Sequence, residues 1–198
     1  MSENRKFSVL MSVYIKENPV FLEEAVESIL NQTLKPSEVV LVEDGPLTPE
    51  LYQVLEKLTA QSTIPIKRCP LEQNRGLGLA LQYGVLQCQY DVIARMDTDD
   101  IAVEDRFEKQ FNLMETENLD LLGGHIAEFI DQPDEIVSYR RVPTKHEDII
   151  AYQRMRSAFN HMTVMFKKEM VLKAGNYEDG LYMEDDLLWL NMISAGAR

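Results

Sequence analysis

The sequence predicts a doubly wound α/β domain, a mixed but mostly parallel sheet with helices on both faces. Short apolar, β-branched runs alternate with longer segments whose apolar residues recur at helical spacing. Turn-forming or acidic residues fall where the runs end. A length of 198 residues, 45% hydrophobic and 27% charged, fits one domain that buries its own core. Residues 1–198 are therefore expected to form a single domain.

FSVLMSVY (Phe7 to Tyr14) and EVVLVED (Glu38 to Asp44) are near-continuous apolar runs, as strands buried on both faces require. Between them Phe21, Leu22, Ala25, Val26, Ile29 and Leu30 recur at helical spacing behind Pro19, which suits a first turn. The alternation continues with a helix in 49–61, a strand in 64–70, a helix in 76–87, a strand in 90–97 and a helix in 103–118. Right-handed crossovers between such units generate a parallel sheet. After Leu119 the rhythm changes to LDLLGGHIAEFID, EIVSYRRVP and MTVMFKKEMV, which predicts additional, antiparallel members. The chain stops just past an amphipathic helix, MEDDLLWLNMISAGA, so a C-terminal truncation is expected.

A net charge of -13 argues against a nucleic-acid partner, whose backbone needs clustered Lys and Arg. An anionic ligand would need a metal to mediate. No apolar run approaches the roughly 20 residues of a membrane span, and MSENRKFSV lacks the apolar core of a signal peptide. A cytoplasmic protein is expected, at most peripheral at the inner face of the membrane. Cys69 and Cys88 are too few and too isolated for a disulfide framework or a zinc site.

In this fold class ligands sit outside the carboxyl ends of the strands. Glu43 and Asp44 fall there in LVEDGP, and Asp97, Asp99 and Asp100 in RMDTDD, while Glu184 and Asp185 open the last helix. Each group alone has a plain reading, because Asp starts turns and caps helices; Asp100 before IAVEDRF is such a cap. Three carboxylates this close nevertheless raise one another's pKa unless a cation offsets them. Oxygen donors of this kind suit Mg²⁺ or Mn²⁺.

FSVLMSVY, SILNQT, VLVEDGP, NRGLGLALQYG, ARMDTDD, GNY and MEDDLLWL, in this order and spacing, resemble family 2 glycosyltransferases of the Rossmann-like GT-A fold. Within that family they are most similar to the bacterial branch of exopolysaccharide and capsule synthesis, the amylovoran-type transferases. The likeness runs from about Phe7 to Leu190. It departs at Ser12–Ile15, where the family often has Pro-Val-Tyr-Asn, and at Glu43–Pro46, where Asp-Asp-Gly-Ser is common; Asp44 stays in place.

The resemblance implies a single GT-A catalytic domain, a metal-dependent inverting hexosyltransferase. It would move a sugar from a nucleotide-diphosphate donor, a UDP-sugar by preference, to a hydroxyl of a saccharide or lipid-linked acceptor. It implies that Asp44 reads the uracil N–H and Tyr14, with Ser12 and Val13, lines the base. Arg75 and Gly76 of NRGLG would contact base or phosphate, although this loop also reads as an ordinary helix start. Asp97 would face the ribose and Asp99 would hold Mn²⁺ or Mg²⁺. Asp185, favoured as an anion by the helix N-terminus, would be the general base, with His161 and Glu184 near the acceptor or diphosphate. His161 also reads as a satisfied strand histidine, and Trp189 as packing. A sugar nucleotidyltransferase is the alternative, but it needs a Gly-rich phosphate loop after the first strand, and SVYIKENP has no glycine. A degenerate, non-catalytic module is the other, and the intact Asp44, DTDD and Glu184–Asp185 set speaks against it.

Overall fold

A computed structural model describes residues 5–179 and 183–198. In chain order the elements are β1 Phe7–Val13, α1 Pro19–Leu30, β2 Glu38–Glu43, α2 Pro49–Gln61, β3 Ile66–Pro70, α3 Leu77–Gln87, β4 Val92–Arg95 and α4 Arg106–Glu117. There follow β5 Leu121–Leu122, β6 Ile126–Phe129, β7 Ile136–Arg140, α5 His146–Gln153, β8 Met165–Lys167, α6 Lys168–Lys173 and α7 Glu184–Ser194.

Six strands form one sheet in the order β3-β2-β1-β4-β8-β5. β1 pairs in parallel with β2 and β4, and β2 with β3. β8 is antiparallel to both β4 and β5 and alone opposes the rest. Side chains alternate between the faces, as the pleat requires. Phe7, Val9, Met11 and Val13 of β1 join Val39 and Leu41 of β2 in a core covered by α1, α2 and α4. Leu10, Val40 and Val42 point the other way, into a core covered by α3, α6 and α7. This two-sided burial is why both strands read as unbroken apolar runs. Asn18 caps α1 through the Val20 N–H at 2.9 Å and Thr48 caps α2 through the Leu51 N–H at 3.3 Å, each followed by proline at the first helical position.

The later segments depart from expectation. α4 begins at Arg106, with Asp105 as its cap residue, so Asp100 caps no helix. The reason is tertiary: the 102–104 backbone is bound to the end of α1. The Ala102 N–H donates to Ser28 Oγ, the Val103 carbonyl accepts from Gln32, and the Glu104 carbonyl accepts from the Thr33 N–H. The segment 126–140 leaves the main sheet and forms a separate antiparallel hairpin. Its one polar face, where Glu128 bonds Ser138 and Arg140, could not be buried between helix layers. The strand expected from MTVMFKKEMV is a 3₁₀ turn at His161–Thr163, then β8 and α6. Periodicity gave no sign of α5, where Gln153 is the only buried residue.

From β1 the strand order runs to β2 and β3 on one side and to β4 on the other. The carboxyl ends of β1 and β4 thus flank the switch point where this class of sheet opens a crevice.

Candidate functional site

Asp44 follows β2 and is 3% exposed. Its own N–H donates to the Val13 carbonyl at 2.8 Å. Its Oδ1 accepts from the Arg75 N–H at 2.7 Å and its Oδ2 from the Gly76 N–H at 3.0 Å. Asn74 Nδ2 donates to the Asp44 carbonyl at 3.2 Å. One carboxylate therefore ties the 74–76 loop to two strand ends, and each oxygen keeps a second lone pair for a ligand. Gly45 permits the closure: its φ is 85°, and a Cβ there would lie 2.5 Å from the Asn74 nitrogen. The Val13 side chain is fully buried in the core, so this residue faces away from the cleft. Ser12 is half-buried, while Tyr14 and Arg75 are exposed.

At the end of β4, Asp97, Asp99 and Asp100 each bring a carboxylate oxygen to within 4.8 Å of the others. Arg95, 1% exposed, pairs through Nη2 with Asp97, while its Nε and Nη1 have no partner among the described residues. Arg106 of α4 braces the same turn, donating to the Arg95 carbonyl at 2.7 Å. Burial raises the Asp99 pKa, and Asp97 adds to it. Burial, then Asp97 and Asp99, push Asp100 up to about 6. Glu17, just beyond β1, is raised by burial and then by Asp99 and Asp97. An oxygen donor set with this excess of negative charge fits a divalent Mg²⁺ or Mn²⁺ ion.

The third group comes from α7. Asp185 lies in its first turn, 4.0 Å through Oδ2 from His161 Nδ1. Burial raises the Asp185 pKa and outweighs the helix amides that pull it down. His161 Nε2 is 2.9 Å from Tyr177 Oη, and its ring stands edge-on to Trp189 with centroids 5.8 Å apart. Burial and then Arg95 hold His161 well below its usual pKa, which leaves the ring neutral. Glu184 is 9% exposed and packs on α3, where a Cβ at Gly78 would come within 3.0 Å of its Cβ. Tyr177 is fully buried, and burial raises its pKa; Arg95 on one side and Asp185 on the other both act on its hydroxyl.

The site thus joins Asp44 to Arg75 and Gly76, gathers Asp97, Asp99 and Asp100, and sets Asp185 beside His161. Glu17, Arg95, Arg106 and Tyr177 were not anticipated. The sequence offered two signals for them, an arginine inside the apolar run VIARM and, for Tyr177, the GNY motif.

Residues 8–176 match the family model Glycosyl transferase family 2. An uncharacterized glycosyltransferase of Haemophilus influenzae is 49% identical over 96% of this chain and 70% of its own length. Amylovoran biosynthesis glycosyltransferase AmsE of Erwinia amylovora is 44% identical over 96% of this chain and 70% of its own length. The UDP-Gal:alpha-D-GlcNAc-diphosphoundecaprenol beta-1,3-galactosyltransferase of Escherichia coli is 40% identical, with 96% and 69% covered. The crystal structure of S. aureus TarS in its 1-349 form with UDP-GlcNAc shares the fold, with a TM-score of 0.74 at 19% identity. That match covers 96% of this chain and 54% of TarS 1-349, so this chain spans about half of that structure. The mostly parallel sheet with helices on both faces is accordingly a GT-A fold, and the chain belongs to the family 2 glycosyltransferases.

Proposed function

We propose that this chain transfers a sugar, with inversion, from a UDP-sugar to a hydroxyl of a saccharide or lipid-linked acceptor in cell-surface polysaccharide synthesis. The observation that carries the reading is the carboxylate trio Asp97, Asp99 and Asp100 at the sheet's switch point. Asp44 and the 74–76 loop would receive the uracil, with Tyr14 against the ring, and Asp97 the ribose. Asp99 would hold Mn²⁺ or Mg²⁺ on the diphosphate. When bound, such an ion would offset the charge that develops on the leaving diphosphate.

Asp185 would accept the acceptor's hydroxyl proton as its oxygen bonds the sugar's anomeric carbon. The bond from that carbon to the diphosphate breaks, and the nucleoside diphosphate leaves with the electron pair. One displacement inverts the anomeric centre and needs no protein nucleophile. A carboxylate whose pKa burial raises is a better base for this step than a solvated one. The Erwinia relative, an amylovoran biosynthesis enzyme, and the E. coli relative, which uses UDP-Gal and a diphosphoundecaprenol-linked acceptor, support the substrate classes. A Pyrobaculum calidifontis mannosyltransferase of similar fold, TM-score 0.72, in complex with GDP-Man and Mn²⁺, supports the metal. A lipid-linked acceptor would bring the protein to the inner face of the membrane. No helix of the described residues is long and apolar enough to cross it.

Thermal melting tests the reading. UDP near 100 times its Kd should raise Tm by about 5 °C or more in Mn²⁺, and neither UDP in EDTA nor UDP with Asp99→Asn protein should do so. Equal UDP shifts with and without metal would refute the metal-bridged site.

A further inference from the structure

We propose that Tyr177 and His161 form a hydrogen-bonded chain that fixes the histidine tautomer and presents its Nδ1–H to Asp185. His161 is then a positioning residue for the base. The inference rests on the assignment of Asp185 as that base.

Two contacts carry it: Tyr177 Oη lies 2.9 Å from His161 Nε2, and Asp185 Oδ2 lies 4.0 Å from His161 Nδ1. A neutral imidazole donates from one nitrogen and accepts at the other. If Nε2 carried the hydrogen, the buried Tyr177 hydroxyl would lose its acceptor, and the Nδ1 lone pair would face the Asp185 carboxylate. If Nδ1 carries it, the Tyr177 hydroxyl donates to Nε2 and the Nδ1–H points toward Asp185. Only the second arrangement satisfies both ends, and leaving a buried polar group unmatched is costly.

The surroundings keep the ring where this chain needs it. Tyr177 and Trp189 pack against the imidazole at centroid distances of 5.6 and 5.8 Å, and Trp189 is itself held against Phe159 at 5.6 Å. The charged and titratable groups that face the ring are Arg95 from β4, Tyr177 from the segment after α6, and Asp185 from α7. Burial, and after it the Arg95 guanidinium, disfavours a positive charge on the ring, so the histidine acts as a neutral donor. Closing 4.0 Å to the ~2.9 Å of a hydrogen bond takes about 1 Å, a gap of the kind that closes when a substrate is bound. The consequence is that Asp185 is oriented by a neutral imidazole that does not itself take the proton.

Imidazole nitrogen NMR on the ¹⁵N-labelled chain tests this without any substrate. The chain has three histidines, and exposed His125 and His146 serve as reference signals. The His161 signal, assigned by its loss in His161→Phe, should show the Nδ1–H tautomer. In Tyr177→Phe, which removes one hydroxyl and keeps the packing, that tautomer should be lost. Carboxyl ¹³C titration should then give a higher Asp185 midpoint in Tyr177→Phe and in His161→Phe than in wild type, because the carboxylate loses the N–H dipole that faces it across 4.0 Å. An Nε2–H tautomer in wild type overturns the proposal, and so does an Asp185 midpoint that neither variant moves. Should His161→Phe fail to fold, Tyr177→Phe carries both readouts. The base assignment itself fails on a different result, wild-type turnover by Asp185→Asn enzyme.

Discussion

At pH 7 Asp100 is ionised against burial and against Asp97 and Asp99, which lift its pKa from 3.8 to about 6. On acidification the folded chain takes up this proton near pH 6, and the unfolded chain only near 3.8. Between those values the native state binds more protons, so this group makes stability rise as pH falls and keeps it lowest above pH 6. Asp99, Glu17 and Asp185, also raised, act in the same direction. Asp120 acts in the opposite one: despite partial burial its bonds to Lys167 and the Arg198 backbone lower its pKa. Asp100→Asn should therefore raise the metal-free Tm at pH 7 by about 3 °C, from about 1 kcal/mol after solvent screening. It should also flatten the rise between pH 7 and 5, and scanning calorimetry reads both effects. A lower Tm in the variant would mean that the charge is stabilised where it stands. Asp185→Asn should instead leave UDP-sugar affinity unchanged and cut turnover on the order of a hundredfold or more, because Asn cannot take a proton. Titration calorimetry and a transfer assay separate the two; equal turnover would remove Asp185 from the chemistry. The acidic residues were legible because they cluster in sequence. Arg95 and Tyr177 were not, because their roles come from burial and from a meeting that only the folded chain arranges.

Among the elements, α3 is held at its start by backbone geometry. Gly76, with φ 87°, starts it under the Asp44 carboxylate, and Gly78 lets the first turn of α7 come close. A Cβ at Gly78 would stand 2.5 Å from the Glu178 carbonyl oxygen and 3.0 Å from Glu184 Cβ. Gly78→Ala should accordingly displace the turn that carries Asp185, at a cost of about 1–3 kcal/mol in stability. Transfer should fall while the metal-dependent UDP shift remains. Loss of both together would mean that the strain runs back through Gly76 to the nucleotide loop. The strands and helices up to α3 were readable, since a run buried on both faces and a capped amphipathic helix each have a sequence period. The start of α4, the separation of the 126–140 strands from the main sheet and α5 were not. Bonds to α1 set the first, and exposed strands and a helix with one buried residue leave little period to read.

In the whole molecule, two cores share one sheet, and no strand of β1 or β2 belongs to one core alone. Damage on one face must then be felt on the other. Phe107 is fully buried under β1, 5.2 Å from the Phe7 ring, and Phe107→Ala should cost about 3–5 kcal/mol. Hydrogen exchange should show the loss equally in β1 and in α7, whose Leu188, Trp189 and Met192 lie in the opposite core. Protection that drops in β1 alone would mean that the cores unfold separately. The parallel half of this architecture followed from periodicity and the change of rhythm after Leu119 announced antiparallel members, while the position of β8 between β4 and β5 rests on pairings that no local pattern encodes. Trp189 belongs to the second core, is the chain's one tryptophan and is fully buried against Phe159, His161 and Tyr177. Its fluorescence should have a single source, in a buried wall that includes His161, 4.0 Å from Asp185. The protein therefore carries its own optical probe: any approach of the Asp185 turn to the imidazole registers as a change in colour or brightness, with no label attached.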